Sequence, residues 1–164
     1  MENIHDYLQG NKIEQPVTYA TFWQRFAAVL IDSVVLSFFH QIIAFVFGMQ
    51  MYFHIDELED FEPSFESFYP FFYYSASYII INACYYILME SGVRQATVGK
   101  IALGLIVTDM NGQRISPTKA LIRHFSKWIS GAILLIGYIM QAFDPKGQAL
   151  HDKIAETLVV RKAD

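Results

Sequence analysis

The sequence is poor in cysteine and contains no internal repeat, and each of these features excludes certain classes of protein. Cys84 is the single cysteine, which excludes an internal disulfide framework and a cysteine-rich zinc or iron–sulfur site. The lack of repeats and an aromatic content of 16% exclude a disordered chain, a collagen-like chain and a coiled coil. We expect no metal, no cofactor and no nucleic-acid partner.

Charge is missing from long stretches of the chain. Between residues 26 and 55 the only charged side chain is Asp32, and residues 67–89 carry none. Crossing the apolar core of a bilayer takes about 20 residues in a helix. The sequence therefore predicts a mainly α-helical membrane protein with two firm transmembrane helices, at residues 26–47 and 71–89.

A third uncharged stretch, residues 128–143, is shorter and contains two glycines. It is either a short, tilted third span or a re-entrant helical segment that returns to the side it left. Backbone that is not helical is tolerated at membrane depth where protein covers it. Because the tail at 144–164 is basic, we expect this tail to lie on the cytoplasmic side.

The two signs of charge are separated along the chain. The segment 51–70 carries six acidic residues and neither Lys nor Arg, whereas 90–127 carries six basic residues. The positive-inside rule places the acidic loop outside and 90–127 in the cytoplasm. The N-terminal segment, 1–24, is then cytoplasmic as well and contains no recognisable cleavable signal peptide. We expect residues 1–164 to form a single membrane domain.

The cytoplasmic segment begins with a predicted β-hairpin. Ile101–Thr108 is a strand-like run, Asp109–Gly112 has the residue types of a tight turn, and Gln113–Ile115 is the expected return strand. Because a two-stranded hairpin is marginal alone, we expect the run at 157–160 to pair beside the first strand. A strand edge of this kind can accept an extended peptide.

A helix is predicted to follow the hairpin. Ser116 suits the capping position and Pro117 the first turn, and Lys119, Arg123 and Lys127 then recur at intervals of four residues. This pattern is typical of a basic amphipathic helix lying on the anionic inner leaflet. The alternative is a solvated charged face.

Asp32 needs an explanation, because a carboxylate inside a span is costly. Arg25 lies two helical turns earlier on the same face, about 10 Å away along the axis and too far for direct contact unless it reaches inward. Asp32 is therefore either a packing device, as an ion-pair partner or capping acceptor, or part of a cation or proton site. In the tail, we expect His151 and Asp152 to lie near Arg25 or Lys100.

Blocks along most of the chain resemble the RDD family of prokaryotic membrane proteins. The resemblance covers residues 17–162, and its blocks are Tyr19–Asp32, Thr97–Gly112, Arg123, Asp144, Ala149–Asp152 and Thr157–Val160. By position, the arginine and two aspartates for which the family is named are Arg25, Asp32 and Asp152. The resemblance implies a bacterial inner membrane, a small multi-span protein without a prosthetic group, and cation–proton exchange or accessory roles.

No pairing of nucleophile and base is visible, so we expect a protein that is not an enzyme. The favoured function is a regulatory or accessory partner of another membrane protein, with a membrane-bound peptidase as one candidate. The alternative is an oligomeric cation/proton transporter that uses Asp32. The residues expected to form a structural or ion-linked polar cluster are Arg25, Asp32, Lys100, Arg123, His151 and Asp152.

Overall fold

Two long helices dominate the structure. The computed structural model describes residues 18–47, 68–132 and 140–162. Within these ranges two helices are long and apolar enough to span a membrane, α1 (Phe22–Val46) and α2 (Tyr69–Ser91). They correspond to the two predicted spans: α1 begins four residues earlier and ends one residue earlier, and α2 is two residues longer at each end. Most of the acidic loop lies outside the described residues.

The remaining elements are short, apart from one helix. In chain order they are α3 (Val98–Ala102), β1 (Leu105–Asp109), α4 (Pro117–Ala132), a 3-10 helix (Met140–Phe143), α5 (Leu150–Ile154) and β2 (Thr157–Arg161). The predicted helix after Ser116 is α4, and Ser116 Oγ accepts a hydrogen bond from the Lys119 amide at 3.2 Å. Residues 133–139, the middle of the third apolar stretch, lie outside the described residues.

Helix α1 buries one narrow face. Its start is fixed by a reciprocal cap, in which Thr21 Oγ1 accepts from the Gln24 amide and Gln24 Oε1 accepts from the Thr21 amide. The buried positions recur at intervals of three or four residues, which places them on one side of the helix. They are Arg25, Ala28, Asp32, Leu36, His40 and Ala44.

The two long helices meet through polar and aromatic groups. His40 Nε2 lies 2.9 Å from Ser77 Oγ, and the His40 ring makes edge-on contacts with the rings of Tyr74 and Tyr78. Outside this contact, α2 exposes most of its apolar side chains. Such a surface suits lipid or another membrane helix.

The prediction that Gln113–Ile115 forms the second strand of a hairpin is wrong. β1 pairs with β2 in antiparallel register, with Val107 opposite Val159, and this confirms the pairing expected for the run at 157–160. The turn at Asp109–Gly112 forms, but the return strand is reduced to a single bridge between Thr108 and Arg114. No ladder can follow, because Ile115 turns into the core and Ser116 already caps α4.

The first half of the predicted strand at 101–108 is also wrong, because its residues belong to α3 and a turn. Leu103 follows the end of α3, and Gly104 has a φ of +64°, a left-handed conformation that glycine adopts without strain. The extended backbone therefore begins at Leu105.

Both edges of the two-stranded sheet are covered by other backbone segments. The amide of Ala20 donates to Val159 O and that of Arg161 to Thr18 O, each at 2.9 Å. On the other side, the Val107 amide donates to Gln95 O at 2.7 Å. In the described part of the chain, the edge that was expected to accept an extended peptide is therefore already occupied. A small apolar core lies against the sheet, formed by Ala20, Leu105, Val107, Ile115, Ala120 and Val159.

Candidate functional site

Asp32 joins α1 to the short helix α3. Its Oδ1 accepts from the Gly99 amide and from the Tyr85 hydroxyl, and its Oδ2 accepts from the Thr97 hydroxyl, all at 2.7 Å. The side chain is 1% exposed. Asp32 thus accepts hydrogen bonds at the N-terminus of α3, as the expectation of a capping acceptor described, and it makes no hydrogen bond or ion pair with Arg25 among the described residues. Tyr85 was not singled out in the sequence.

A close approach of two backbones makes this contact possible. A Cβ added to Gly99 would lie 2.1 Å from the carbonyl oxygen of Ala28, which is a severe overlap. Glycine at position 99 lets α3 lie directly against α1, so the Gly99 amide reaches Asp32.

Asp152 binds two arginines from different helices. Arg25 Nη1 of α1 donates to its Oδ2, and Arg123 Nε of α4 donates to its Oδ1 at 2.8 Å. Its Oδ2 also accepts from the Ala149 amide, so that Asp152 caps its own helix α5. Burial raises the pKa of Asp152, but the charges of Arg123 and Arg25 outweigh burial and hold that pKa below its ordinary value. The structure thus places Asp152 beside Arg25, and not beside Lys100.

Glu90, at the end of α2, is the carboxylate that the sequence analysis missed. Lys100 Nζ and Arg123 Nη1 each donate to it at 2.6 Å, and Lys127 Nζ lies 3.8 Å away. The signal was an acidic residue directly after an uncharged span and before a basic segment. Because Arg123 contacts both carboxylates, the ion pairs form one charge network, which comprises Arg25, Asp152, Arg123, Glu90 and Lys100.

The pKa values of two cations in this network shift in opposite directions, although burial lowers both. It lowers the pKa of Lys100 to about 7, although the carboxylate of Glu90 opposes the shift. Burial also lowers the pKa of Arg123, but Glu90 and Asp152 outweigh it and leave that pKa above its ordinary value. Arg123 is thus held as a permanent cation between two carboxylates.

His151 lies beside the network. Its Nε2 is 3.6 Å from Asp152 Oδ1, and its Nδ1 is 3.5 Å from Ser130 Oγ. Burial lowers the pKa of His151 to about 3, against the pull of Asp152, so the ring is neutral at physiological pH.

The basic face of α4 does not lie where it was expected. Arg123 is 2% exposed and points into the charge network, so this residue neither rests on a lipid surface nor faces solvent. Lys127 also points inward, over the ring of Tyr86 at 3.9 Å from its centroid. Lys119 remains at the surface in an ion pair with Glu156. The spacing of four identified a shared face, and the part of it that holds Arg123 and Lys127 packs against α2 and α5.

A cavity of about 760 Å³ opens above the network, between α1, α2 and α4. Its apolar wall includes Phe22, Phe26, Val29 and Trp128, and its basic wall consists of Arg25, Lys100, Arg123 and Lys127. Asp32 is the one acidic residue among the described residues that line it.

Comparisons with known proteins agree on one family. A model of the RDD family matches residues 19–156. The chain is 35% identical over 150 residues to "Uncharacterized protein YxaI" of Bacillus subtilis (strain 168), an alignment that covers 87% of this chain and 97% of that protein. It is 29% identical over 171 residues to "Uncharacterized membrane protein YteJ" of the same organism, with 99% and 97% covered. No solved structure matches. The chain therefore belongs to the RDD family of membrane proteins.

Proposed function

We propose that this protein is a non-enzymatic accessory or regulatory partner of another membrane protein. The observation that carries the proposal is a polar stripe on the outer side of α1. Ser33, Ser37 and Gln41 recur at intervals of four residues, and all three are exposed, along the margin of the face that α1 buries. Small and polar side chains in a membrane helix promote contact with another helix.

The buried acidic groups support a structural role for the polar centre. Every carboxylate oxygen of Asp32, Glu90 and Asp152 accepts a hydrogen bond from within the chain. A moving cation would have to displace these donors, which come from four different helices and from the loop before α3. The network therefore favours a fixed scaffold that presents the long helices to a partner.

The covered sheet edges argue against strand addition as the way in which a partner binds. Because Thr18–Ala20 and Gln95 already occupy the two strand edges, a peptidase or other partner would not be engaged by strand addition there. We therefore assign recognition to the helix surface in the bilayer.

Crosslinking from α1 tests this proposal. A photoreactive residue at Ser37 in native membranes is expected to capture one foreign membrane protein in a stoichiometric adduct. The matched probe at Val34, which is also exposed but off the stripe, is expected to capture mainly lipid. Adducts with a second copy of the chain alone, at Ser37, would contradict a foreign partner.

The alternative is an oligomeric cation/proton transporter that uses Asp32, and one variant separates the two functions. Asp32→Asn keeps the side chain's shape but weakens its acceptor at the Gly99 amide. We expect the free energy of unfolding to fall by about 1–3 kcal/mol, and the yield of folded protein to fall with it. Function per folded molecule should not change. A variant that accumulates normally but no longer exchanges sodium or protons in vesicles would establish transport.

We further propose an inner-membrane topology with a cytoplasmic N-terminus and a tail that returns to the same side. In support, the backbone at Thr18–Ala20, just before α1, bonds to β2 at the other end of the chain. A C-terminal tag should resist protease added to intact spheroplasts. Digestion of the tag from outside would make residues 128–143 a true third span.

A further inference from the structure

We propose that the cavity beside the charge network binds one anionic phospholipid, with the phosphate at the basic wall and an acyl chain along the apolar wall. This assignment is independent of the partner proposed above. It rests on the charge of the cavity, on two buried nitrogen atoms without partners, and on the position of the cavity along α1.

Basic side chains outnumber acidic ones in the described lining of the cavity. Arg25, Lys100, Arg123 and Lys127 line it, whereas Asp32 is the single acidic residue among its described lining. Asp32 is fully committed to Thr97, Tyr85 and Gly99. Glu90 and Asp152, which pair with these basic side chains, are not among the lining residues. An anionic group is the complementary ligand of such a wall.

Two residues that line the cavity each contain a buried nitrogen without a hydrogen-bond partner within the described residues. They are Nε of Arg25 and Nδ1 of His124, in residues that are 9% and 5% exposed. Buried polar atoms in native proteins are nearly always paired, so an unpaired one indicates a missing partner. We assign both nitrogens to the phosphate, which requires each side chain to turn its nitrogen toward the cavity, with His124 neutral and protonated on Nδ1.

The position of the cavity identifies a lipid rather than a soluble anion as the source of the phosphate. Its lining runs along α1 from Phe22 to Ser33, a rise of about 16 Å from the start of the membrane helix. Phe26, Val29 and Trp128 of this lining are apolar and about half exposed, and we place the mouth of the cavity at these residues, toward the bilayer. An acyl chain can leave through this mouth, whereas free phosphate would meet an apolar entrance.

Tryptophan quenching tests the proposal directly. In the Trp23→Phe background, Trp128 is the remaining tryptophan of the chain. The full-length protein is placed in phosphatidylcholine vesicles that contain increasing fractions of phosphatidylglycerol with brominated acyl chains. We expect quenching that saturates at a low fraction of the anionic lipid, and weak, proportional quenching by brominated phosphatidylcholine.

Two variants locate the effect. Gly131→Leu adds bulk where an added Cβ meets no atom of the described residues within 4 Å, so it should fill the cavity without disturbing the fold and abolish the saturable quenching. Thr118→Leu places the same leucine side chain at an exposed site of the same helix, outside the cavity, and should change nothing. Lys127→Gln should weaken the preference for the anionic lipid about fivefold, the effect of one lysine near an anionic surface.

Three results would overturn the assignment. One is an identical quenching curve for the two brominated lipids. Another is unchanged saturable quenching in a folded Gly131→Leu protein. The third is loss of the quenching on addition of inorganic phosphate at constant ionic strength, which would identify a free anion as the ligand.

Discussion

The two long helices contact each other through different kinds of interaction from those of the charge network at one end of them. Along α1 and α2 the side-chain contacts are neutral, between His40 and Ser77 with two tyrosine rings, apart from the hydrogen bond from Tyr85 to Asp32. At the other end, a continuous series of ion pairs joins α1, α2, α3, α4 and α5. Apolar contact barely distinguishes a neighbouring helix from lipid. Charged groups that must be paired do distinguish them, so we infer that the network sets which elements meet.

The largest loss should follow removal of the central cation. Arg123→Met leaves Glu90 and Asp152 buried with fewer partners, and breaking a buried ion pair costs about 3–5 kcal/mol. Thermal unfolding in detergent and the yield of folded protein measure this loss. The control is Arg114→Met, which changes an exposed arginine. Wild-type stability in a well-expressed Arg123→Met protein would mean that the network does not hold the fold together.

A smaller loss is expected where two backbones touch. Gly99→Ala forces α3 away from α1, and overpacking of this kind typically costs about 1–3 kcal/mol. Gly131→Ala is the matched control, because its added methyl group meets open space in a helix and should stabilise slightly. The two unfolding midpoints, measured side by side, check this. Equal midpoints would show that α3 can shift without cost.

Acid should lower the free energy of unfolding through His151. The unfolded chain binds a proton at this histidine near pH 6.5, whereas the folded protein does so near pH 3. Between these values the unfolded state holds more protons, so the free energy of unfolding falls as pH falls, by up to about 1.4 kcal/mol per pH unit. His151→Gln should flatten the slope measured between pH 6.5 and 4. An unchanged slope in this variant would assign the acid sensitivity to another group.

The smallest effect should come from the surface. Lys119 and Glu156 form an ion pair at 3.3 Å whose side chains are 36% and 72% exposed. Exposed pairs contribute about 0–1 kcal/mol, because water and salt screen them. Lys119→Ala should therefore leave the unfolding midpoint nearly unchanged. A loss comparable to that of Arg123→Met would remove the distinction between buried and exposed charge.

The two spans could be predicted from the sequence alone, because a long stretch without charged residues is a local property of the chain. It also showed that Asp32 needed partners, since a carboxylate in a span is costly wherever the partners lie. It did not identify Glu90, because an acidic residue at a span end is unremarkable until Arg123 and Lys100 are seen beside it.

The predictions of a β-hairpin and of an exposed basic face on α4 were wrong for related reasons. A short apolar run such as Ile101–Leu105 fits a helix or a strand equally well, and its periodicity does not decide between them. The spacing of Lys119, Arg123 and Lys127 showed that they share a face of α4. Which surface covers that face depends on α2 and α5, which are distant in sequence.

The pairing of β2 with both β1 and the segment before α1 makes assembly depend on residues that are far apart in the order of synthesis. Asp152 follows its partner Arg25 by 127 residues, so the ribosome has to make the chain at least that far before this ion pair can form. Until β2 has followed, the edge of β1 lacks its strand. We therefore expect a chain that stops before Asp152 to reach the bilayer with Arg25 unmatched and to be degraded.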